Sequence, residues 1–481
     1  MNIFSYKRYC FIYLIFISTL FLLFYSYTTS PLYLNEGMDS TIYKTMGLGI
    51  LEGKIPYRDL FDHKGPVVFY INALGQLIMS GRQGIFLLQI ISLSFAVLFI
   101  YKTSRLFGGY GMSFLMSIIF LFVLSGFIEE GNQCEFWMLP YITVSLFLST
   151  KYLCGNRMCH PLAYSFIYGL CFSVVLLTRI NDAVSQIGAI VFGVFMYMLM
   201  QRRYVQLLQN VLIFICGTLV VLVPVILYFV YNNCFNDFIY GNYIFNRIYS
   251  GSILGFYQSP LKTSLCLYVF VFCFCFCMKN VKYRNLVFTM FPISILSLFL
   301  MGNRNFMHYY IVLAPLITLT ITLLVSNKNK VFALCIMALF PFQGWMDSTC
   351  NCSKQLVKGN KKEYSFYEET KKMVSKIPFN ERNDIWCYNL CSSGNHYMEF
   401  LPYNKIVPCN RFFCCWMLDN DKSINEKESI VNYSPKWVLV DGNSSFMENF
   451  QAIKMRYLLY AKTNDNICRI SLYELRNSHG R

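Results

Sequence analysis

Between Asp39 and Pro66 the chain gathers three Asp, one Glu, three Lys, one Arg and one of its five His. The chain as a whole is 56% hydrophobic and 14% charged, so this density of charge beside an apolar run needs a reason. Asp39 opens the stretch just after the first apolar run. A carboxylate at a water–membrane boundary can act as general base on a hydroxyl, its pKa raised by partial desolvation. Followed by Ser-Thr-Ile, the same residue also reads as a helix N-cap. Arg58, Asp59, Asp62, His63 and Lys64 read as an anion site. Lysine and protonated histidine can hold a lipid phosphate, while the carboxylates orient them or bind a divalent cation. The alternative is a solvated, self-neutralising loop. Gly65-Pro66 then brings these groups to the interface, where a lipid headgroup sits.

Two further groups lie in later loops. Glu129, Glu130 and Glu135 fall where one apolar run ends and the next begins, and Phe136-Trp137-Met138 hold Glu135 at the bilayer boundary. The chemistry this suggests for Glu135 is a hydrogen bond to a sugar or to an acceptor; the plain reading is a surface acidic loop. Arg304 and His308 are one helical turn apart beside Tyr309 and Tyr310. Two cations on one face suit a phosphate, whereas a Tyr-rich belt alone suits interfacial anchoring. Arg179 and Asn181 end another span, where a snorkelling Arg is ordinary.

The elements that must position these residues are membrane helices. With 481 residues, a mean hydropathy of +0.44 and repeated apolar runs near bilayer length, the chain is expected to be a polytopic α-helical membrane protein. Lys7 and Arg8 precede a first run over 10–27, which reads as an uncleaved signal anchor with a cytoplasmic N-terminus. A short amphipathic helix over Ser40–Glu52 is expected to lie on the membrane, ended by Gly53 and followed by chain that Pro56 keeps extended. Residues 66–79 are apolar but short for a span of about 20 residues, and are expected to lie in the interface or re-enter without crossing. Further spans are expected at 84–101, 111–128, 137–152, 163–179, 183–200, 207–231, 263–278, 285–301, 307–326 and 331–346, about eleven in all. This count puts the basic loops at Lys151/Arg157, Gln201–Arg203, Lys279–Arg284 and Asn327–Lys330 inside. The loops with polar chemistry and the tail then fall outside.

The domains expected are therefore a membrane module over 1–346, with its active-site loop at 28–83, and an extracytoplasmic α/β domain over 347–481. In that tail, 383–388 and 436–440 read as strands, with turns at Ser393-Gly394 and Asp441-Gly442. The excess of 41 Lys+Arg over 25 Asp+Glu belongs to cytoplasmic loops facing anionic lipid. Nucleic acid is excluded as a partner, since no basic, aromatic-interleaved module is present. The 20 Cys show no zinc-like pairing; those in the exported tail are open to disulfide formation.

Three stretches resemble a known group of enzymes: Met38-Asp39-Ser40, Gly53-Lys54-Ile55-Pro56-Tyr57-Arg58-Asp59, and Phe61-Asp62-His63-Lys64-Gly65-Pro66. They are similar to the GT-C superfamily of integral membrane glycosyltransferases, and within it to the branch of protein O-mannosyltransferases and the aminoarabinose transferase of lipid A, family 39. The motifs cover roughly the first third of the chain. The resemblance implies transfer of a sugar from a polyprenyl-phosphate donor to an extracytoplasmic acceptor, with inversion and without a nucleotide sugar. By this resemblance Asp39 matches the acidic catalytic residue and Lys64 the residue that contacts phosphate. His63, Arg58, Arg304 and His308 join Lys64 on the phosphate, while Glu135, Tyr57 and Asp62 face the acceptor or sugar. Ser40 stands where the family often has Glu, and Gly65-Pro66 replaces a common Pro-Pro. The first change removes a carboxylate, so a divalent metal stays an open question. The rival readings are a carrier or flippase for lipid-linked saccharide, which should place charges at mid-membrane, and a polysaccharide polymerase using a diphosphate-linked donor.

Overall fold

The structure, a computed structural model, describes residues 3–34, 37–155, 159–250, 283–300, 306–326, 341–354, 356, 360–388, 400–414, 433–441, 456–463 and 470–476. The expected span at 263–278, most of that at 331–346, Arg304, the turn at Ser393-Gly394 and Gly442 of the turn at Asp441-Gly442 lie outside the described residues. The chain divides into two compact units. One holds Met1–Ser26, Phe86–Val230 and Ser252–Ser353; the other holds Tyr27–Ile85, Tyr231–Gly251 and Lys354–Arg481. The loop at 28–83 thus groups with the tail residues, not with the long apolar helices.

The first unit is built from apolar helices: α1 (Ile3–Tyr25), most of α4 (Gln83–Ser104), α5 (Tyr110–Ser125), α6 (Cys134–Leu153) and α7 (Leu162–Leu176), then Ile180–Met200, Tyr204–Tyr231, Arg284–Leu300 and Met307–Ser326. Among the described residues, four helices are long and apolar enough to cross a membrane: Gln83–Ser104, Ile180–Met200, Tyr204–Tyr231 and Met307–Ser326. Their core interdigitates Leu22, Val97, Phe120, Phe136, Ile190 and Ile317. Tyr204–Tyr231 instead exposes its apolar side chains, with Leu208 at 61% and Leu227 at 59%. Such a surface fits hydrocarbon rather than water. Helix hydroxyls bond back along their own helix, as Ser18 does to the Leu14 carbonyl and Thr143 to that of Leu139, so few polar groups are left facing lipid.

In the second unit, α2 (Met38–Leu51) packs against α3 (Pro66–Ile78). At about 20 Å, α3 is too short to cross a hydrocarbon core of about 30 Å. The expectation that α2 lies on the membrane surface needs correction. Ser40 to Gly47 are buried without interruption, so these two turns present no open face, and Leu51 at the C-terminal end is exposed. Lys44 is itself buried, donating to the Thr28 carbonyl at 2.6 Å, while its own carbonyl accepts from Gln76. Of the polar residues that look like an outward face in sequence, Thr41 donates to the Gly37 carbonyl and Lys44 to that of Thr28. The helix ends as expected: Gly53 turns the chain at φ +82°, its N–H reaches the Ile50 carbonyl, and Lys54 N–H reaches that of Gly49. These are the two hydrogen bonds of a Schellman cap, which needs the left-handed residue that Gly supplies.

The tail residues form a four-stranded sheet in the order β1-β2-β4-β3, with β1 (Ile385–Tyr388) parallel to β2 (Trp437–Asp441) and antiparallel pairs of β2 and β3 (Tyr457–Lys462) with β4 (Ile470–Leu475). Trp386, Val438, Val440 and Tyr457 make its core, and helices Asn360–Val374 and Phe400–Tyr403 accompany it. Both expected strands are present. Cys350, Cys352, Cys387, Cys409 and Cys414 are free thiols.

Candidate functional site

The loop from Gly53 to Pro66 is held by its own side chains. Asp59 accepts the Ile55 N–H at 2.8 Å, and Tyr57 N–H donates to the Leu60 carbonyl at 2.7 Å, closing a tight turn. Within it Tyr57 takes φ +69°, a left-handed conformation that an aromatic residue adopts only when its surroundings impose it. The imposing contacts are visible. Its ring is fully buried between Phe69 and Phe238, and its hydroxyl donates to the Lys64 carbonyl at 2.7 Å. Gly241 lies against the ring edge so closely that any Cβ there would collide with it. Burying a ring of this size is worth about 2–3 kcal/mol, enough to offset backbone strain of similar size.

Asp62 and His63 follow, at 1% and 6% exposure. His63 Nδ1 lies 3.1 Å from Asp62 Oδ1, and Asn246 donates to the His63 carbonyl at 2.6 Å. Asp62 Oδ2 is buried without a hydrogen-bond partner among the described residues. Burial alone would raise the Asp62 carboxyl, but the hydrogen bond and charge of His63, with Lys64 beyond, bring it below its ordinary value. Burial and the Lys64 cation pull His63 below its own ordinary value, against the opposing pull of Asp62 and Asp39. The resulting pair is an ionised Asp62 accepting from a neutral His63. Because a carboxylate can only accept, the proton of that imidazole sits on Nδ1.

Asp39 stands in the first turn of α2, half-buried, and makes no capping hydrogen bond. The N-cap is Gly37, so the capping role open to Asp39 in sequence is not the one it takes. The start of the helix favours its negative charge. Its negative charge favours the His63 imidazolium, against the Lys64 cation. Arg58 is engaged elsewhere: its guanidinium forks onto Asp59 at 2.8 and 2.9 Å and reaches the Asn232 carbonyl.

Tail residues brace this loop. Phe61 N–H donates to the Arg411 carbonyl at 2.8 Å, and Phe61 packs on Phe412 with ring centres 4.9 Å apart. Arg411 pairs with Asp237 at 2.9 Å. Asn410 ties the same segment to β1 through the Cys387 N–H and carbonyl. Sequence reasoning missed Asn246, Asp237 and Arg411. Each lies more than a hundred residues from the loop, and no local spacing marks it.

The helical unit carries a separate charged network. Glu135, at 1% exposure, and Asp182, fully buried, both pair with Arg179, the latter at 3.2 Å. Two carboxylates thus converge on one guanidinium. The guanidinium lies 4.1 Å over the Tyr309 ring. His308, stacked on Phe306, pairs with Glu129, whose other oxygen accepts the Met307 N–H. Glu135 and His308 thus belong to one network through Arg179 and Tyr309. Arg179, read from sequence as a snorkelling span end, pairs instead with Asp182 three residues on. Among the described residues, no group of three or more His, Cys, Asp or Glu is arranged to hold a metal ion.

The fold has clear counterparts among solved structures. ArnT from Cupriavidus metallidurans, bound to undecaprenyl phosphate, is similar at a TM-score of 0.58 and 11% identity, covering 98% of this chain and 99% of that one. Its apo structure gives 0.63 and 11% identity over 97% and 98%. No protein-family model and no curated protein matches the chain. The chain therefore has the fold of a polytopic membrane protein, that of ArnT, along essentially its full length.

Proposed function

We propose that the protein is a glycosyltransferase of the GT-C type that moves a sugar from a polyprenyl-phosphate donor to an acceptor hydroxyl on the extracytoplasmic side. The observation that carries this reading is the full-length likeness to a fold seen with undecaprenyl phosphate. The charges of Asp39, Asp62 and Lys64 acting on His63 support it from the side of chemistry. In the reaction proposed, the acceptor oxygen attacks the anomeric carbon from the face opposite the phosphate, and Asp39 takes the hydroxyl proton. The bond from the anomeric carbon to the phosphate oxygen breaks, its electron pair passing to the phosphate, whose charge Lys64 stabilises. Inversion follows from the single displacement.

The assignments at other positions are refined accordingly. Tyr57 fixes the loop that presents Lys64, through the bond from its hydroxyl to the Lys64 carbonyl. Arg58, 43% exposed and bound to Asp59, contributes to the turn more than to phosphate. Glu135 and His308, each paired within the helical unit, act there in support of structure. The hydrogen bond from Phe61 to Arg411 supports placing the tail on the same side of the membrane as the loop. We retain about eleven spans, with an N-terminus in the cytoplasm, as the topology of the inner membrane protein. The test is transfer of label from polyprenyl-phosphate sugars in membranes, with the Asp39→Asn variant as control: label moved by both proteins alike would sink the assignment of Asp39.

A further inference from the structure

The end of the helical unit away from Arg179 holds four buried polar atoms without hydrogen-bond partners among the described residues. They are the Tyr152 and Tyr168 hydroxyls, His160 Nε2 and Arg203 Nη1. The three aromatic residues are at most 2% exposed. His160 precedes α7 and Arg179 follows it, so 15 residues of helix, about 22 Å, separate the two. His160 Nδ1 lies 2.8 Å from Asn210 Oδ1, which also accepts from the Ser165 hydroxyl at 2.6 Å. Asn210 donates through its amide nitrogen to the Gln206 carbonyl, so its oxygen is the acceptor and the imidazole proton sits on Nδ1. Burial draws this imidazole down to about 4, so it is neutral and Nε2 carries a lone pair. The Tyr152 ring stands edge-on to it with centres 4.7 Å apart, and the Tyr168 ring follows at 5.8 Å.

Arg203, Gln206 and Asn210 recur at three and four residues where the helix Tyr204–Tyr231 begins, which sets them on one face. Gln206 and Asn210 both meet His160, so Arg203 stands one turn further along the same face. Its guanidinium neighbours the Tyr152 hydroxyl without meeting hydrogen-bond geometry. A buried guanidinium nitrogen calls for an acceptor, most strongly an anionic one. The chain supplies no carboxylate for it. Between Glu135 and Asp347 the sequence has only Asp182 and Asp237, and these pair with Arg179 and Arg411. An anion from outside the chain fits the vacancy in charge, and the N-terminus of a 28-residue helix favours it further. The same helix exposes Val205, Leu208 and Leu212, an apolar strip suited to an acyl chain.

We propose that Arg203, Tyr152 and Tyr168 hold the phosphate of an anionic phospholipid at this end of the bundle, with His160 Nε2 accepting a hydroxyl of its head group. Arg203 is partly exposed and forms the mouth of the site, while the two tyrosines form its buried wall. Three donors meet the phosphate oxygens and one acceptor meets the hydroxyl, which satisfies all four atoms. The site stands apart from the sugar transfer proposed above and uses none of its residues. Its tyrosines give a sharp distinction. With nothing bound, each hydroxyl is a buried polar group without a partner, and removing it is neutral or stabilising. With a phosphate bound, removing it weakens binding.

The experiment takes the purified, delipidated full chain as wild type, Tyr168→Phe and Arg203→Gln. Lipid binding is measured by native mass spectrometry, and melting temperature in nanodiscs of phosphatidylglycerol or of phosphatidylcholine. Inorganic phosphate in detergent is a separate arm. The wild type should retain phosphatidylglycerol over phosphatidylcholine and melt higher in it. Tyr168→Phe and Arg203→Gln should each weaken phosphatidylglycerol binding by about tenfold or more. Both should lose the phosphatidylglycerol-dependent rise in melting temperature while melting within a few degrees of wild type in phosphatidylcholine. Equal retention of phosphatidylglycerol by all three proteins, or by none, overturns the site. So does a Tyr168→Phe protein that melts above wild type in phosphatidylglycerol, since its hydroxyl is then an orphan. Inorganic phosphate that reproduces the rise in the wild type and not in the variants overturns the lipid as occupant in favour of a soluble phosphate. Sugar transfer is not a readout here, so failure of the site leaves the transferase reading untouched.

Discussion

Two charged regions of this molecule are buried to a similar degree and balance their carboxylates differently. In the helical unit, Arg179 is clamped by Glu135 and Asp182 and covered by Tyr309, and Glu129 meets both His308 and the Met307 N–H. In the loop over 53–66, Tyr57 is held at a left-handed φ, and Asp62 keeps a buried oxygen without a hydrogen bond among the described residues. The first pattern is what a low-dielectric interior demands of charges kept for structure. In the second, an ionised carboxylate meets a neutral imidazole and no arginine. The presence of a guanidinium clamp, more than burial, separates the two regions here.

Substitutions can break that contrast, and the largest effect should come from the loop. Asp39→Asn and Lys64→Ala should each lower transfer by about 100-fold to 10,000-fold, with melting temperatures in detergent within a few degrees of wild type. Arg179→Ala should do the reverse. It leaves two buried carboxylates facing each other without a cation, destabilising the fold by about 3–5 kcal/mol. Denaturant or thermal melts would register this as a large loss of stability or of folded yield, which Arg179→Lys should only partly restore. If Arg179→Ala melts like wild type, the network is not structural and the comparison fails.

Smaller effects sharpen it. Gly241→Ala forces a methyl group into the Tyr57 ring and should cost about 1–3 kcal/mol, reducing transfer through the displaced loop. The pH dependence of stability has a definite sign. The folded pKa of His63 lies below its unfolded value of 6.5, so the unfolded chain binds the proton first and stability falls as pH drops below that value. Asp62, also depressed, adds stability above its unfolded value of 3.8 that is lost on further acidification. His63→Gln should flatten the decline between neutral pH and about pH 5 in a melting series. Arg58→Ala should change stability by less than about 0.5 kcal/mol, because its pair with Asp59 is exposed to water.

Much of the framework was legible in sequence because it depends on local physics. Apolar run lengths pointed to the helices, Gly53 to the cap of α2, and short β-like runs to β1 and β2. The burial of α2 was not legible. Ser40, Thr41, Lys44 and Thr45 look like a wetted face, and only the folded chain shows Lys44 on the Thr28 carbonyl. The motif residues around Asp39 and Lys64 could be named from their types, but their state could not. That His63 is neutral follows from its burial and from Lys64 beside it. That Arg411 and Asn246 hold the loop follows from contacts across 350 and 183 residues, which no periodicity encodes.

The most direct test of the central claim is label transfer in membranes supplied with radiolabelled polyprenyl-phosphate sugars and an extract of cell-envelope acceptors. Transfer by the wild type that vanishes in a folded Asp39→Asn variant is the predicted result. Binding of the lipid-phosphate sugar by both proteins, with no label moved by either, would contradict it and favour a carrier of lipid-linked saccharide.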